Sequence, residues 1–95
     1  MKEFKDLLFK EHPNGFGFQS VMEFENGYGV SVVCGSSYYC SPRENLYAAS
    51  MYDTYEVAVL KDGSLCYDTP ITDDVMGHLT PEEVSDVMKQ VQSLN

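Results

Sequence analysis

The sequence has no tryptophan, two histidines, three cysteines and six basic residues against fifteen acidic ones. A secreted chain this short usually builds its disulfide framework from an even number of cysteines, four or more, so we expect reduced thiols. The chain also lacks a run of the roughly 18–20 apolar residues that a membrane span needs. Its first ten residues lack the apolar centre and small-residue cleavage site of a secretory signal. These absences predict a soluble, cytoplasmic protein that does not enter a membrane.

The shortage of basic residues leaves a formal net charge of −9, and the excess is concentrated in the second half of the chain. Residues 1–44 carry four basic and six acidic residues, whereas residues 45–95 carry two and nine. Such a field repels nucleic-acid phosphates and anionic lipids and attracts basic surfaces. The charge therefore predicts a protein partner with a basic surface and no direct binding of nucleic acid or membrane. The alternative is that the charge only keeps the protein soluble.

Two segments show the pattern of β-hairpins. In residues 19–33, alternating apolar side chains flank Asn26 and Gly27, a pair that supplies the positive φ angles of a tight primed turn. Residues 55–67 repeat the pattern around residues 61–63. Together the two segments predict four strands, most simply arranged as an antiparallel meander.

The C-terminal segment carries the clearest helix signal. Thr80 can cap the helix, Pro81 suits its first position, and Glu83 stands where a capping box places its acid. One apolar stripe then follows at helical spacing, formed by Val84, Val87, Met88, Val91 and Leu94. The sequence thus predicts a single domain, residues 1–95, of the α+β class: a small antiparallel β-meander of about four strands, packed by a C-terminal amphipathic helix.

Two other segments carry weaker helix signals. Residues 72–77 contain a cap, two first-turn acids and a terminating glycine, which predict a short helical turn. Residues 35–54 form a longer connection than usual. A serine, a proline and a glutamate near its start favour a short helix over residues 42–50, and a long mobile hairpin loop is the alternative.

We find no pattern typical of a catalytic, cofactor or metal site. A zinc site would need several of Cys34, Cys40, Cys66, His12 and His78 to converge, and their spacing is not that of a zinc ribbon. A Cys34–Cys40 disulfide is geometrically conceivable but unnecessary, and Cys66 is expected to fill the core. No nucleophile elbow, dinucleotide fingerprint or phosphate loop is present. We therefore predict a protein that is not an enzyme, with no catalytic residues, no cofactor and no metal.

The first candidate binding surface is acidic. Its predicted members are Asp68, Asp73, Asp74, Glu82, Glu83 and Asp86. Helix capping and the helix dipole offer a structural explanation for several of these acids. Asp68, Asp73 and Asp74 could bind a hard cation, but they lack the alternating acids, central glycine and closing glutamate of a calcium loop.

The second candidate surface is a tyrosine-rich segment. Five tyrosines fall within eighteen residues, and we predict that Tyr38, Tyr39, Tyr47 and Tyr52 form a binding surface beside Tyr55, because tyrosine offers large contact area with a polar tip. The structural alternative is that these rings close one end of a small core. A nucleic-acid stacking platform would need more positive charge, since the segment holds one basic residue. A small-molecule or nucleotide pocket formed by this aromatic loop is the alternative function.

Three stretches resemble a family of small uncharacterised acidic proteins encoded by bacteriophages and prophages. They are NGYGVSVV (residues 26–33), YEVAVLKDGSLCYDTPITDDV (55–75) and LTPEEV (79–84), with HPNG (12–15) preceding them. The resemblance implies a phage gene product that acts in the host bacterial cytoplasm, but it supplies no activity and no functional residues. It favours an accessory protein that binds a host or phage protein, such as a bacterial defence component that it would inhibit, and it leaves a homo-oligomer open. Residues 34–51 look longer than the family pattern, so the tyrosine-rich segment is specific to this member.

Overall fold

An antiparallel sheet and one α-helix make up the computed structural model, which describes residues 1–72 and 74–95. Within those residues the strands are β1 (Lys10–Glu11), β2 (Phe18–Glu23), β3 (Tyr28–Cys34), β4 (Tyr55–Lys61), β5 (Ser64–Leu65) and β6 (Met76–Leu79), and the helix is α1 (Pro81–Gln92). Two single turns of 3-10 helix span Phe4–Asp6 and Ala49–Met51. The predicted α+β class is confirmed, with six strands in the described residues rather than about four.

The strands follow one another across the sheet as in a meander. Their order is β1-β2-β3-β4-β5, every pair is antiparallel, and β6 also pairs with β4. Both β5 and β6 lie beside β4, because β5 pairs with its last two residues and β6 with Tyr55 and Val57. The two predicted hairpins are therefore present, although the last strand of the second ends at Leu65.

The two hairpin turns differ in conformation. Asp62 and Gly63 both have positive φ angles, 52° and 84°, as a primed turn requires. In the first hairpin Gly27 has a φ of 87°, whereas Asn26 does not take a positive φ. The Gly27 N–H donates to the Phe24 carbonyl over 3.2 Å, which closes a type I turn with a glycine bulge. The hairpin prediction was correct here, and the primed turn was wrong.

The side chain of Asn26 connects this turn to the end of α1. Its Nδ2 donates to the carbonyl oxygens of Val91 (2.9 Å) and Leu94 (3.0 Å), and its Oδ1 accepts the Tyr28 N–H over 3.1 Å. The last carbonyls of a helix have no partner within the helix. Asn26 therefore supplies a C-terminal cap from a distant part of the chain.

Replacing Asn26 by aspartate tests this cap. We expect the free energy of unfolding to fall by about 1–3 kcal/mol, because an isosteric carboxylate removes the donor and sets a negative charge against carbonyls at the negative end of the helix. Urea denaturation measures the change. Asn14→Asp is the matched control, since the Oδ1 of the exposed Asn14 accepts the Phe16 N–H, which aspartate retains, and its Nδ2 donates a long bond of 3.4 Å to the Tyr38 hydroxyl but none to a helix carbonyl. Equal losses in both variants would contradict the capping role.

The predicted capping box of α1 is present. The Thr80 Oγ1 accepts the Glu83 N–H over 3.2 Å, and the Glu83 Oε1 accepts the Thr80 N–H over 3.0 Å. Pro81 occupies the first helical position. Local chemistry thus sets where α1 begins. Among the described residues, no helix combines the length and the apolar character needed to cross a bilayer.

The apolar stripe of α1 forms one wall of the core. Val84, Val87, Met88 and Val91 are buried, and Leu94 is half-buried at the edge of the cluster. The stripe packs on the face of β3 and β4 that carries Val30, Val32, Val57 and Val59. The predicted packing of helix on sheet is therefore confirmed.

The predicted helical turn at residues 72–77 is wrong at its C-terminal end. Met76 and Gly77 belong to β6, whose Met76 pairs with Val57 of β4, while Asp73 lies outside the described residues. Gly77 does not end a helix. A Cβ added to it would lie 2.6 Å from the Cβ of Tyr39, so the absence of a side chain lets residue 39 pack against the strand.

The predicted helix at residues 42–50 is also wrong, apart from the single turn Ala49–Met51. The buried Tyr52 organises this connection instead. Its hydroxyl accepts the Leu46 N–H over 3.0 Å and donates to the Glu44 carbonyl over 2.5 Å. These tertiary bonds satisfy backbone groups that a helix would otherwise have paired.

Candidate functional site

The predicted acidic residues lie on the surface wherever the structure describes them. The exposed members are Asp68, Asp74, Glu82, Glu83 and Asp86, whereas Asp73 lies outside the described residues. They come from three places: the segment after β5, the approach to β6, and the first two turns of α1. Two have structural tasks as well, since Glu83 completes the capping box and the Asp74 Oδ1 accepts the Val75 N–H over 2.7 Å.

Among the described residues, ion pairs do not neutralise the charge of these acids. In residues 1–72 and 74–95, the one ion pair joins Lys89 Nζ to Glu3 Oε1 over 3.5 Å. It involves none of the five exposed acids. Their field therefore extends into solvent, where it can attract a basic surface.

The tyrosine-rich segment divides into surface and core. Tyr47 is 95% exposed and Tyr39 is 52% exposed, whereas Tyr52 and Tyr55 are 4% and 1% exposed. Tyr38 is half-buried, with its ring 5.5 Å from that of His12. Tyr52 therefore cannot contact a partner, which corrects its prediction as a binding residue. The exposed contact area of the segment lies at Tyr39 and Tyr47.

The two buried tyrosines close the core beneath the loop. The Tyr55 hydroxyl donates to the Ala49 carbonyl over 2.6 Å, so its polar tip is satisfied inside the protein. Burial raises the pKa of Tyr55 to about 12, and burial also raises the pKa of Tyr52. Tyr52 and Tyr55 therefore close one end of the core, as the structural alternative for this segment predicted.

Tyr39 lies in a polar cluster that the sequence did not predict as a unit. We call it the Tyr39 corner: Tyr39, Ser41, Arg43, Glu56 and His78. The Glu56 Oε1 accepts the Tyr39 N–H over 3.1 Å, and the Arg43 Cζ lies 5.2 Å from the Tyr39 ring centroid. The Ser41 Oγ lies 3.4 Å from the His78 Nδ1. The corner thus presents an exposed aromatic ring together with cationic and hydrogen-bonding groups.

A β-bulge places His78 in this corner. Tyr55 pairs with Leu79 and Val57 with Met76, so Gly77 and His78 together stand opposite one residue of β4. His78 has a φ of 55°, a left-handed conformation that few non-glycine residues adopt. Bulges commonly redirect side chains at functional surfaces. Nothing local in the sequence distinguishes His78, because the bulge depends on pairing with β4.

The cysteines do not form a reactive site. Cys34 and Cys40 are buried free thiols, and Cys66 is half-buried. Burial raises the pKa of Cys34 to about 12, so its thiol is protonated and a poor nucleophile near neutral pH. Within the described parts of the chain, no three His, Cys, Asp or Glu side chains lie close enough to hold a metal ion.

Two surface concavities occur away from the aromatic loop. The larger, about 780 Å³, lies between the N-terminal segment and the β2–β3 turn; we call it the N-terminal groove, and residues 1–3, 5–6, 23–26 and Gln92 line it. The smaller, about 400 Å³, lies between residues 70–71 and the end of α1. Neither is lined by residues 35–54. Neither of these two concavities therefore supports the alternative of a nucleotide pocket formed by the aromatic loop.

Comparison with known proteins yields no match. The chain matches no model of a known protein family, no curated protein and no solved structure. Function therefore has to be inferred from the arrangement of the residues themselves.

Proposed function

We propose that this protein is a non-enzymatic phage accessory protein that binds a host or phage protein carrying a basic surface. The observation that carries the proposal is the set of five exposed acids that form no ion pair with any residue the structure describes, in a chain of net charge −9. Opposite charge steers association and selects a partner by electrostatic complementarity. A bacterial defence component that binds nucleic acid has such a surface, and the resemblance to phage-encoded proteins supports this setting.

The exposed tyrosines supply the short-range part of the proposed interface. Tyr39 and Tyr47 offer large aromatic area on the surface, and tyrosine is enriched in protein interfaces whereas isolated acids contribute mainly to the association rate. In this proposal the acids accelerate the encounter and the tyrosines slow the dissociation.

The test uses a partner captured from infected host cells and then purified. The triple variant Asp74→Asn, Glu82→Gln and Asp86→Asn is expected to lower the association rate constant on the order of tenfold at low salt, because it removes three charges from the proposed surface. Raising the salt concentration should shrink this difference. Glu83 is left unchanged because it caps α1. Surface plasmon resonance measures both rate constants, and circular dichroism verifies the fold.

A matched triple variant separates local from overall charge. Glu11→Gln, Glu44→Gln and Asp62→Asn remove the same number of exposed charges elsewhere on the protein. A partner that binds with the same association rate at low and high salt, and that tolerates the first triple variant as well as the second, would contradict the acidic surface. Tyr39→Ala with Tyr47→Ala should instead raise the dissociation rate constant.

A further inference from the structure

Beyond Gln19, the outer edge of β2 has no strand beside it among the described residues. The Phe24 N–H donates to the Tyr28 carbonyl over 2.7 Å, so the even-numbered residues of this segment bond to β3. On the other side, the His12 N–H donates to the Gly17 carbonyl over 3.0 Å, so the odd-numbered residues face β1. β1 reaches only as far as the Lys10–Gln19 pair. The N–H and C=O groups of Val21 and Glu23 consequently face outward.

These outward groups are accessible. Among the described residues, the backbone groups of Val21 and Glu23 that face away from β3 have no backbone partner, and the Val21 side chain is 51% exposed. The chain before β1 does not pair with this edge, since the pairing of β1 with β2 ends at Lys10, and the Phe9 ring packs 5.7 Å from the ring of Tyr55 in the core. An unpaired edge of this kind is a template for an added strand.

The N-terminal groove begins where this open edge ends. Glu23 and Glu25 lie on one wall, and Glu3 and Asp6 lie on the other. The Glu3 carboxylate already pairs with Lys89 over 3.5 Å, and Asp6 has two lysines, at positions 2 and 5, in the same segment, so the N-terminal wall has no excess of negative charge. Glu23 and Glu25 form no ion pair with any described residue. The volume of the groove, about 780 Å³, is ample for a long side chain. The wall that carries Glu23 and Glu25 therefore favours a positively charged occupant next to the edge.

We propose that the open edge of β2 and the N-terminal groove bind an extended, basic segment of a partner protein by strand addition. The backbone of that segment pairs with Val21 and Glu23, and one of its lysine or arginine side chains enters the groove. Main-chain pairing provides affinity in this mode, and pockets for alternate side chains provide specificity. The inference rests on the proposed function for the basic character of the partner, but it uses a surface separate from the acids of α1.

A second copy of this chain is a poorer occupant of the same edge. Each copy carries a net charge of −9, and pairing two edges would bring two such fields together. A basic segment removes this repulsion and offers the groove a counter-charge.

The probe is a seven-residue peptide of alternating lysine and valine, acetylated and amidated at its ends, titrated into the ¹⁵N-labelled protein. We expect saturable shift changes in residues 20–25 and at least tenfold slower hydrogen exchange of the Val21 and Glu23 N–H groups. A peptide N-methylated at alternate residues keeps its charge but loses backbone donors. It should bind at least tenfold more weakly.

Matched variants test the groove. Glu23→Gln with Glu25→Gln should weaken peptide binding at least threefold, whereas Glu44→Gln with Asp53→Asn, which removes the same charge from exposed positions between β3 and β4, should leave it unchanged. Equal binding of the N-methylated peptide would overturn strand addition. Shift changes confined to α1, lost on Glu82→Gln with Asp86→Asn, would overturn it too while leaving the proposed function standing. A dimer in sedimentation experiments whose interface maps to Val21 would overturn the proposal as well, because a second copy would then occupy the edge. Salt-independent association with the purified partner would contradict the proposed function, which the peptide titration does not measure.

Discussion

Replacing Met88 by alanine is expected to lower the free energy of unfolding by about 2–4 kcal/mol. Met88 is fully buried on the apolar stripe of α1, among the largest side chains in the core. Truncation removes contacts with the core face of the sheet and leaves a cavity that the surrounding valines, which are stiff at χ1, fill only in part.

Met51→Ala is the matched control for this variant. Met51 carries the same side chain on the surface, where it is 50% exposed, so its truncation should change the free energy of unfolding by less than about 0.5 kcal/mol. Chemical denaturation with circular dichroism as the signal measures both. Similar losses in the two variants would contradict the packing of α1 on the sheet.

Replacing Gly17 by alanine is expected to cost about 2–5 kcal/mol, as the sum of a backbone and a steric penalty. Gly17 has a φ of 74°, which a residue with a Cβ adopts at a cost. A Cβ at this position would also overlap the carbonyl oxygen of Cys34, a backbone atom of β3 that cannot rotate away. The start of β2 would have to move relative to its neighbour.

Gly15→Ala isolates the backbone part of that penalty. Gly15 has a similar φ of 85°, and nothing lies within 4 Å of an added Cβ. We expect a loss of about 1–2 kcal/mol for Gly15→Ala, so the difference between the two variants reports the steric contact. Thermal or urea unfolding measures it. Equal losses would show that Cys34 does not approach Gly17 as closely as the structure places it.

The sequence predicted the exposed acids of the candidate site but not which of its tyrosines are exposed. Acidic side chains are costly to bury, so the exposure of Asp68, Asp74 and the acids of α1 could be anticipated from composition. Tyrosines are compatible with both core and surface. Their division into the buried Tyr52 and the exposed Tyr39 and Tyr47 depends on how the loop folds back onto β6.

The open edge of β2 could not be predicted from the local sequence either. No pattern within residues 18–23 shows that β1 covers the edge only as far as Gln19. The path of residues 4–9 sets how far β1 extends along the edge. In this segment Phe4 and Phe9 pack against Tyr55 in the core. The position of the N-terminal groove has the same origin.

The elements that could be predicted from the sequence are those whose signals act over a few residues. The Thr80–Glu83 capping box, the apolar stripe of α1 and the glycine turns at Gly27 and Gly63 are of this kind, since hydrogen bonds and steric limits between near neighbours specify them. Local sequence does not predict β6, the bulge at His78, the cap that Asn26 provides, or which tyrosines are buried. Each of these depends on contacts between residues far apart in the chain, which local propensity does not encode.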